Sequence, residues 1–229
     1  MLVGLVGRIL FFVLFIYKIS LAKEAIFLEF EKQEIKEDKF SKVTGTFLYI
    51  DPNNFYIEVT SPVFQKIYFK DEILYIYYPK NNLVFKFYLD ILDRISFHPF
   101  LFNEEVENLI LKLGYKKISE KDDEINYISS KYGKILIKKN RDKTISHFII
   151  KDKDEFILLE SSYKNYKNLN NFKVPQMVSL IFYDKGAKNY INQKIFFKEI
   201  KKQKIDLKDI FDFSFLSTSK IKEIDLRKR

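Results

Sequence analysis

Apolar and polar residues alternate with a period of two across residues 44–89, where turns separate five short runs rich in aromatic and β-branched side chains. The turns fall at residues 51–54, 61–62, 70–72 and 79–82. Proline fixes the backbone angle that such turns need, and asparagine tolerates the left-handed conformations that follow it. This spacing predicts an antiparallel meander rather than parallel strands joined by helices.

The two faces of the predicted meander differ in character. Successive side chains of a strand point to opposite faces. In the second run Phe55 and Ile57 therefore face one way, and Tyr56 and Glu58 face the other. The same pattern in the other runs predicts an inner face of Phe, Leu, Ile and Val, which needs a cover. The outer face, rich in Tyr, Lys, Glu and Thr, is predicted to be solvated.

The rest of the chain also favours strands. Residues 27–35 predict a strand or a short helix, residues 163–172 a polar loop, and residues 206–213 a final strand or short helix. Further strands are predicted over residues 125–129, 134–138, 144–151, 155–163, 177–184 and 190–201. The fold is therefore predicted to be mainly β (α+β), with a curved antiparallel sheet of about ten or eleven strands that closes only partly into a barrel.

One amphipathic helix is predicted after the meander and an irregular link over residues 90–99. Asn103 is placed to cap it, and the acidic residues that follow complement its N-terminal end. Gly114 is placed to end it in a left-handed conformation. Its apolar stripe consists of Val106, Leu109, Ile110 and Leu113. The stripe is either a permanent part of the core or a movable lid, and the sequence leaves both readings open.

The N-terminal segment resembles a secretory signal. Nine apolar residues follow Arg8, and a run of this length is too short to span a membrane. Ser20 and Ala22 supply the small residues that a signal peptidase recognises. We therefore predict a signal peptide over residues 1–22, a single domain over residues 23–213 and a flexible charged tail over residues 214–229. Cleavage after Ala25 and an uncleaved membrane anchor remain the alternatives. Either way, the domain is predicted to lie outside the cytoplasm.

Composition narrows the classes of function. The 229 residues are 47% hydrophobic, and the formal charge of +9 raises the possibility of a nucleic-acid partner. Basic and acidic residues interleave, however, and no nucleic-acid-binding motif is present, so a solvated basic surface is favoured and no nucleic-acid partner is predicted. The absence of cysteine excludes disulfides and thiolate chemistry.

Catalytic and metal-binding patterns are missing from the sequence. The two histidines, His98 and His147, are far apart and no ligand spacing accompanies them. Phosphate-binding, dinucleotide-binding and nucleophile-elbow motifs are also absent. We therefore predict no enzyme activity, no metal and no cofactor. The remaining function is binding through an apolar surface.

The ordered series of turns and strands resembles a known family. Gly45, Pro52, Asn53, Phe55, Pro62, Gln65, Leu74, Ile76, Tyr77 and Pro79 stand where LolA-type periplasmic lipoprotein carriers have matching residues. The resemblance is good over about a fifth of the chain, in the stretch of residues 44–89, and extends to the remainder only in outline. It implies a half-open barrel with a helix covering its mouth.

The resemblance also implies a function. A LolA-like protein is a periplasmic carrier that receives acylated lipoproteins from an inner-membrane ABC release complex, and we expect this chain to act as a monomer. It shelters their acyl chains and delivers them to an outer-membrane acceptor or membrane surface. The residues then expected to line the acyl-chain cavity are Phe47, Phe55, Ile57, Val59, Ile67, Phe69, Leu74, Ile76, Phe85, Phe87, Val106, Leu109, Ile110 and Leu113.

One departure from the family pattern concerns the lid. Many members carry an arginine before the proline of the first turn, where it helps to hold the lid closed, whereas this chain has Asp51. Arg94 and Lys66 are the candidate substitutes. Two other functions stay open: a cell-envelope sensor or interaction module on the same fold, and a membrane-anchored lipid-binding protein.

Overall fold

Strands make up most of the molecule. The computed structural model of the protein describes residues 22–36, 39–51, 53–89, 103–169, 172–184 and 190–226. Residues 1–21 of the predicted signal peptide and the predicted link over residues 90–99 lie outside these ranges. Within them the strands are β1 (Ala22–Lys36), β2 (Lys39–Asp51), β3 (Asn54–Ser61), β4 (Gln65–Lys70), β5 (Ile73–Tyr78), β6 (Leu83–Tyr88), β7 (Lys116–Lys121), β8 (Glu124–Ser129), β9 (Gly133–Lys139), β10 (Ile145–Lys151), β11 (Ile157–Leu169), β12 (Phe172–Tyr183), β13 (Tyr190–Asp206) and β14 (Lys220–Asp225).

These strands form one open sheet. Their order is β14-β6-β5-β4-β3-β2-β1-β13-β12-β11-β10-β9-β8-β7, and every neighbouring pair is antiparallel except β14 with β6. Strands β14 and β7 lie at opposite ends of this order. The sheet therefore forms an incomplete barrel, as the sequence predicted. The helices are α1 (Asn103–Lys112) and α2 (Leu207–Ile210), with 3-10 turns at Pro79–Asn81 and Ser214–Ser217.

The strand count differs from the prediction. The described residues contain fourteen strands, whereas ten or eleven were predicted. Every residue of β7 and most of β14 are exposed, so neither strand shows the alternation that marks a half-buried strand. The predicted polar loop over residues 163–172 is also mostly strand. There β11 and β12 continue their pairing as far as Leu169 and Phe172.

The first strand lies at the centre of the sheet. Residues 27–35 belong to β1, which pairs with both β2 and β13. On the outer face Glu31 joins all three strands, because its Oε2 atom lies 3.0 Å from Lys42 Nζ on β2 and 2.8 Å from Lys198 Nζ on β13. The long-range pairing of β1 with β13 closes the meander against the C-terminal half of the chain.

The Glu31 ion pairs are expected to make stability depend on pH in the acid range. Hydrogen bonds from Lys198, Gln33 and Lys42 lower the pKa of Glu31 from 4.5 to about 2. Because this pKa is depressed in the folded state, the stabilisation is fully present above pH 4.5 and is lost as the pH falls towards 2. In urea unfolding measured by circular dichroism, E31Q should therefore show a flatter loss of stability between these pH values than the wild type. E29Q, which removes an exposed carboxyl from the same strand, should retain the wild-type slope.

The inner face of the sheet and helix α1 share one hydrophobic core. Val106, Ile110 and Leu113 are at most 6% exposed and pack into the same cluster as the inward side chains of the strands. Gly114 has a φ of +82°, so the helix ends in the predicted left-handed conformation. The side chain of Leu109, the fourth residue of the predicted stripe, lies outside the described part of the structure.

The predicted solvated outer face carries a cover. The segment of residues 207–217 crosses the tyrosines of β4 and β5, and its alternate phenylalanines pack against them. Phe213 lies 5.6 Å from Tyr68 between ring centroids, and Phe215 stacks on Tyr77 at 4.5 Å. Tyr68 is consequently only 5% exposed. The prediction of a solvated face was wrong here because the cover comes from a segment remote in sequence.

The predicted flexible tail is also corrected over most of its length. Residues 220–225 form β14, which pairs in parallel with β6. Asn82 donates to the carbonyl of Thr218 (2.8 Å), and Lys86 Nζ lies 2.9 Å from Glu223. The charged residues of this segment therefore belong to an edge strand. Exposed charges are common in edge strands because they prevent pairing with further strands.

Candidate functional site

The inner face is built from two rows of apolar side chains that run across the strands. The register aligns Tyr49, Phe55, Phe69, Leu74 and Phe87 in one row, and Phe47, Ile57, Ile67, Ile76 and Phe85 in the next. In the first row Phe55 and Phe69 are buried and stack with ring centroids 4.8 Å apart. Tyr49, Phe55, Phe69 and Leu74 of the first row are therefore packed core, whereas Phe87 at its end is half-buried.

A groove opens beside the second row. It has a volume of about 210 Å³ and lies on the inner face, where strands β1 to β4 and β13 meet. Its apolar lining consists of Phe30, Val43, Phe47, Ile57, Val59, Ile67 and Ile195. Two polar side chains, Lys32 and Gln65, complete the lining. The groove is thus an apolar surface with a polar border.

Gly45 shapes one wall of the groove. It pairs with Phe30 on β1 and with Val59 on β3, and both of these residues line the groove. A Cβ atom at Gly45 would lie 2.1 Å from the carbonyl oxygen of Glu58 and 3.0 Å from the ring of Phe30. The absence of a side chain therefore lets β3 and the Phe30 ring approach β2 closely, which any other residue would prevent.

The carboxylate of Glu34 lies next to the polar border of the groove and accepts two hydrogen bonds. Lys32 Nζ donates to Glu34 (3.1 Å), and Gln193 Nε2 donates to the same carboxylate (2.7 Å). All three residues lie on the inner face, because Lys32 pairs with Val43 and Glu34 pairs with Gln193. The negative charge of Glu34 is therefore already matched by groups of the protein.

Helix α1 packs against the half of the sheet that does not line the groove. Glu107 accepts hydrogen bonds from Lys139 Nζ (2.6 Å) on β9 and from the Tyr127 hydroxyl (2.9 Å) on β8. Burial raises the pKa of Glu107, but the hydrogen bonds from Lys139 and Tyr127 outweigh burial, and the pKa is lowered overall. These contacts fix the helix in the position that its apolar stripe also favours.

The structure divides the predicted cavity residues into groups. Phe47, Ile57, Val59 and Ile67 line the groove, although Phe47 and Val59 are also buried. Phe55, Phe69, Leu74, Val106, Ile110 and Leu113 are buried in the packed core. Ile76, Phe85 and Phe87 are half-buried further along the inner face. The side chain of Leu109 lies outside the described part of the structure.

Other lining residues escaped the sequence-based prediction. Phe30, Lys32 and Ile195 lie on β1 and β13, whose pairing joins opposite ends of the chain. Val43 precedes the alternating stretch of residues 44–89. Gln65 is one of the residues that carry the family resemblance, and no local pattern assigns it to a binding site. Apolar residues recur with a period of two at positions 26, 28 and 30 and at positions 195 and 197, which is a usable signal for strands, but it does not by itself show which strands are neighbours.

Asp51 has a structural role in the first turn. Its Oδ1 atom accepts hydrogen bonds from the Asn53 amide (2.9 Å) and from Asn54 Nδ2 (2.8 Å), and its Oδ2 atom lies 3.6 Å from Lys23 Nζ. Lys66, one candidate substitute for the latch arginine of the family, pairs with Glu58 and Tyr77 on the outer face. The other candidate, Arg94, lies outside the described residues.

Metal ligands do not converge within the described residues: no group of three His, Asp or Glu side chains there could hold an ion. His147 is within hydrogen-bonding distance of the Ser146 hydroxyl (3.2 Å). His98 lies outside the described residues. In the same part of the chain, no helix combines the length and the apolar character needed to cross a bilayer.

Comparison with known proteins shows which solved structures share this fold. No sequence family and no curated protein matches the chain. Among solved structures, a LolA superfamily protein from Nitrosomonas europaea has a TM-score of 0.57 and 15% identity, over 81% of this chain and 89% of that protein. A domain designated as an outer membrane lipoprotein-sorting protein, from Vibrio parahaemolyticus, has a TM-score of 0.56 and 8% identity, over 84% and 91%.

A third structure, a DUF1329 family protein from Desulfovibrio piger, has a TM-score of 0.53 and 11% identity, over 80% of this chain and 87% of that protein. Each comparison spans most of both chains, so the likeness concerns the whole sheet rather than one motif. At such low identity the likeness concerns the fold. The chain therefore has a LolA-like fold.

Proposed function

We propose that this protein is a carrier that shelters an acyl chain of a lipoprotein in the groove on its inner face. The proposal combines the LolA-like fold with the apolar lining of the groove. The name of one structural neighbour refers to outer membrane lipoprotein sorting. By analogy with it, the cargo of this protein would be an acylated lipoprotein and its place of action the periplasm.

The groove itself is the observation that carries the proposal. Its volume of about 210 Å³ exceeds the roughly 150 Å³ of an engineered apolar cavity that binds benzene. Each methylene buried there contributes about 0.8 kcal/mol, so part of one acyl chain would be held outside a membrane. The neighbouring core is already packed, and binding in the groove requires no rearrangement of it. A partly open groove also allows the cargo to leave.

The remaining features of the proposal follow from this role. The donor would be an inner-membrane ABC release complex, and the acceptor an outer-membrane protein or the membrane surface. The carrier would act as a monomer, without catalysis, a cofactor or a nucleic acid. The N-terminal apolar segment would direct it out of the cytoplasm.

Filling the groove is expected to abolish cargo binding. Ile67 is a half-buried residue of the groove wall, so I67F places additional volume where the acyl chain would lie. We expect at least a tenfold weaker retention of cargo, because overpacking and lost methylene contacts act together. The measurement is native mass spectrometry of the chain, co-expressed with an acylated lipoprotein and purified without detergent.

The matched control is V63F, which adds a phenyl ring at a position that is 54% exposed. This variant should retain a one-to-one complex like the wild type, and a lipoprotein that lacks its acyl chains should not be retained by any variant. If the wild type carries no lipoprotein or lipid while a known carrier retains its cargo, the carrier role is wrong. The interaction-module function would then become the better explanation.

A further inference from the structure

The hairpin of β1 and β2 carries a pair of lysines above the groove. Lys36 on β1 pairs directly with Lys39 on β2, and both side chains are exposed. By alternation they lie on the inner face, the same face as Lys32 and Val43 of the groove lining. Lys36 is four residues beyond Lys32 on β1, and Lys39 is four residues before Val43 on β2, which corresponds to about 13 Å along each strand.

The two faces of this hairpin end differ sharply. On the outer face the neighbouring cross-strand pair is Ile35 with Phe40, which are 48% and 62% exposed. Both lysines of the pair therefore lie on the side of the candidate binding site, and the apolar pair lies on the outer face.

The lysine pair is also unfavourable as it stands. Like charges directly opposite each other across an antiparallel pair destabilise the sheet. Within the described residues neither lysine makes an ion pair, and the nearest inward carboxylate on β1, Glu34, is already bound by Lys32 and Gln193. Glu37 and Asp38, which join the two strands, lie outside the described residues. An anion between Lys36 and Lys39 would relieve the repulsion.

We propose that the ligand of the groove is an amphiphile with one anionic group, which is bound between Lys36 and Lys39 while its acyl chain occupies the groove. This inference rests on the proposed function and specifies its cargo. Lysine suits the role because its ammonium group binds phosphate or carboxylate as a flexible point charge. The anionic group can belong to a phospholipid head or to an acidic residue next to the acylated terminus of a lipoprotein.

The test compares head groups on a constant chain. The full chain is titrated, below the critical micelle concentration, with lysophosphatidylglycerol and lysophosphatidylcholine that carry the same twelve-carbon chain. We expect the anionic lipid to bind about tenfold more tightly at low salt, and the preference to shrink at 0.5 M salt because mobile ions screen exposed charges. Inorganic phosphate alone should not displace either lipid, because it lacks the acyl chain.

The variant K36E should remove most of this preference. The control K194E makes the same change of charge at an exposed lysine on the outer face, where Lys194 pairs with Gln33, and should leave the preference intact. Two acylated peptides that differ only by aspartate or asparagine beside the acylated residue then separate the two sources of the anion. A preference for the aspartate peptide identifies a lipoprotein cargo, whereas a preference restricted to the lysolipids identifies a phospholipid.

The outcomes distinguish the two proposals. Equal binding of the lysolipids and of the two peptides, all of it abolished by I67F, would overturn the anion site and leave the groove as an acyl-chain site. Displacement by inorganic phosphate without any effect of I67F would also overturn it, because the site would then bind a free anion. Absence of all binding would instead contradict the carrier function itself.

Discussion

Replacing Gly45 with alanine is expected to lower the free energy of unfolding by about 3 kcal/mol or more, which is a large effect for a single methyl group. The added Cβ atom would lie 2.1 Å from the carbonyl oxygen of Glu58, which is a backbone atom and cannot rotate away. Strands β2 and β3 would have to separate, and the Phe30 ring would have to move from the groove wall. Urea unfolding followed by far-UV circular dichroism measures the loss.

The variant G114A is the matched control. Gly114 has a φ of +82°, but no atom lies within 4 Å of a Cβ added there. The variant G114A should therefore lower the free energy of unfolding by about 1 kcal/mol, the usual penalty for alanine in a left-handed conformation. If G45A were no more destabilising than G114A, the close approach of Glu58 and Phe30 to Gly45 would not exist in solution. The described groove wall would then be incorrect.

The meander and the helix could be predicted from the sequence because their signals are local. Alternation assigned Phe55 and Ile57 to the inner face, and the pairing of Phe55 with Phe69 and of Ile57 with Ile67 confirms that assignment. Turn residues located the chain reversals between these strands, and Gly114 marked the end of helix α1. In each case the information lies within a few residues of the feature that it predicts.

The groove was predicted only in part, because its two sides come from distant parts of the chain. Phe47 and Ile67 belong to the meander, whereas Ile195 belongs to β13. No local pattern states that β1 pairs with β13 through fourteen aligned positions. Alternation also cannot distinguish an inward side chain that fills the core, such as Phe69, from one that lines an open space, such as Ile57.

The outer face shows a second limit of local patterns. Tyrosine is compatible with a solvated face and with burial, since its ring is apolar and its hydroxyl is polar. Burial of Tyr68 follows from the contacts with Phe211, Phe213 and Phe215, which are more than 140 positions later in the chain. In Asp212 and Ser214 this segment keeps polar residues between its phenylalanines, as a chain with one packed side requires.

The cover of the outer face also determines how the sheet ends. Residues 207–217 lead directly into β14, which pairs with β6 in parallel. A parallel edge pair is slightly weaker per residue than an antiparallel one, and β14 is largely exposed. The packing of Phe213 and Phe215 on the tyrosines is therefore expected to supply much of the energy that holds β14 in place.

Removing both rings in F213A/F215A is expected to lower the free energy of unfolding by about 3 kcal/mol. Each phenylalanine is half-buried, so each should contribute about half of the loss typical of a fully buried ring. The same variant should increase amide hydrogen exchange along β6, because β14 would leave that edge more often. Urea unfolding and hydrogen exchange by mass spectrometry measure the two effects.

The control for this double variant is F40A, which removes a ring that is 62% exposed and should change stability by about 0.5 kcal/mol or less. If F213A/F215A matched F40A in urea and β6 kept its protection, residues 207–217 would not pack on the outer face in solution. If stability fell while β6 kept its protection, backbone pairing and the contacts of Asn82 and Lys86 would hold β14 without the aromatic cover. A loss of both, with retained binding of lipid to the groove, would show that the two faces of the sheet act independently: the outer face stabilises the edge, and the inner face binds.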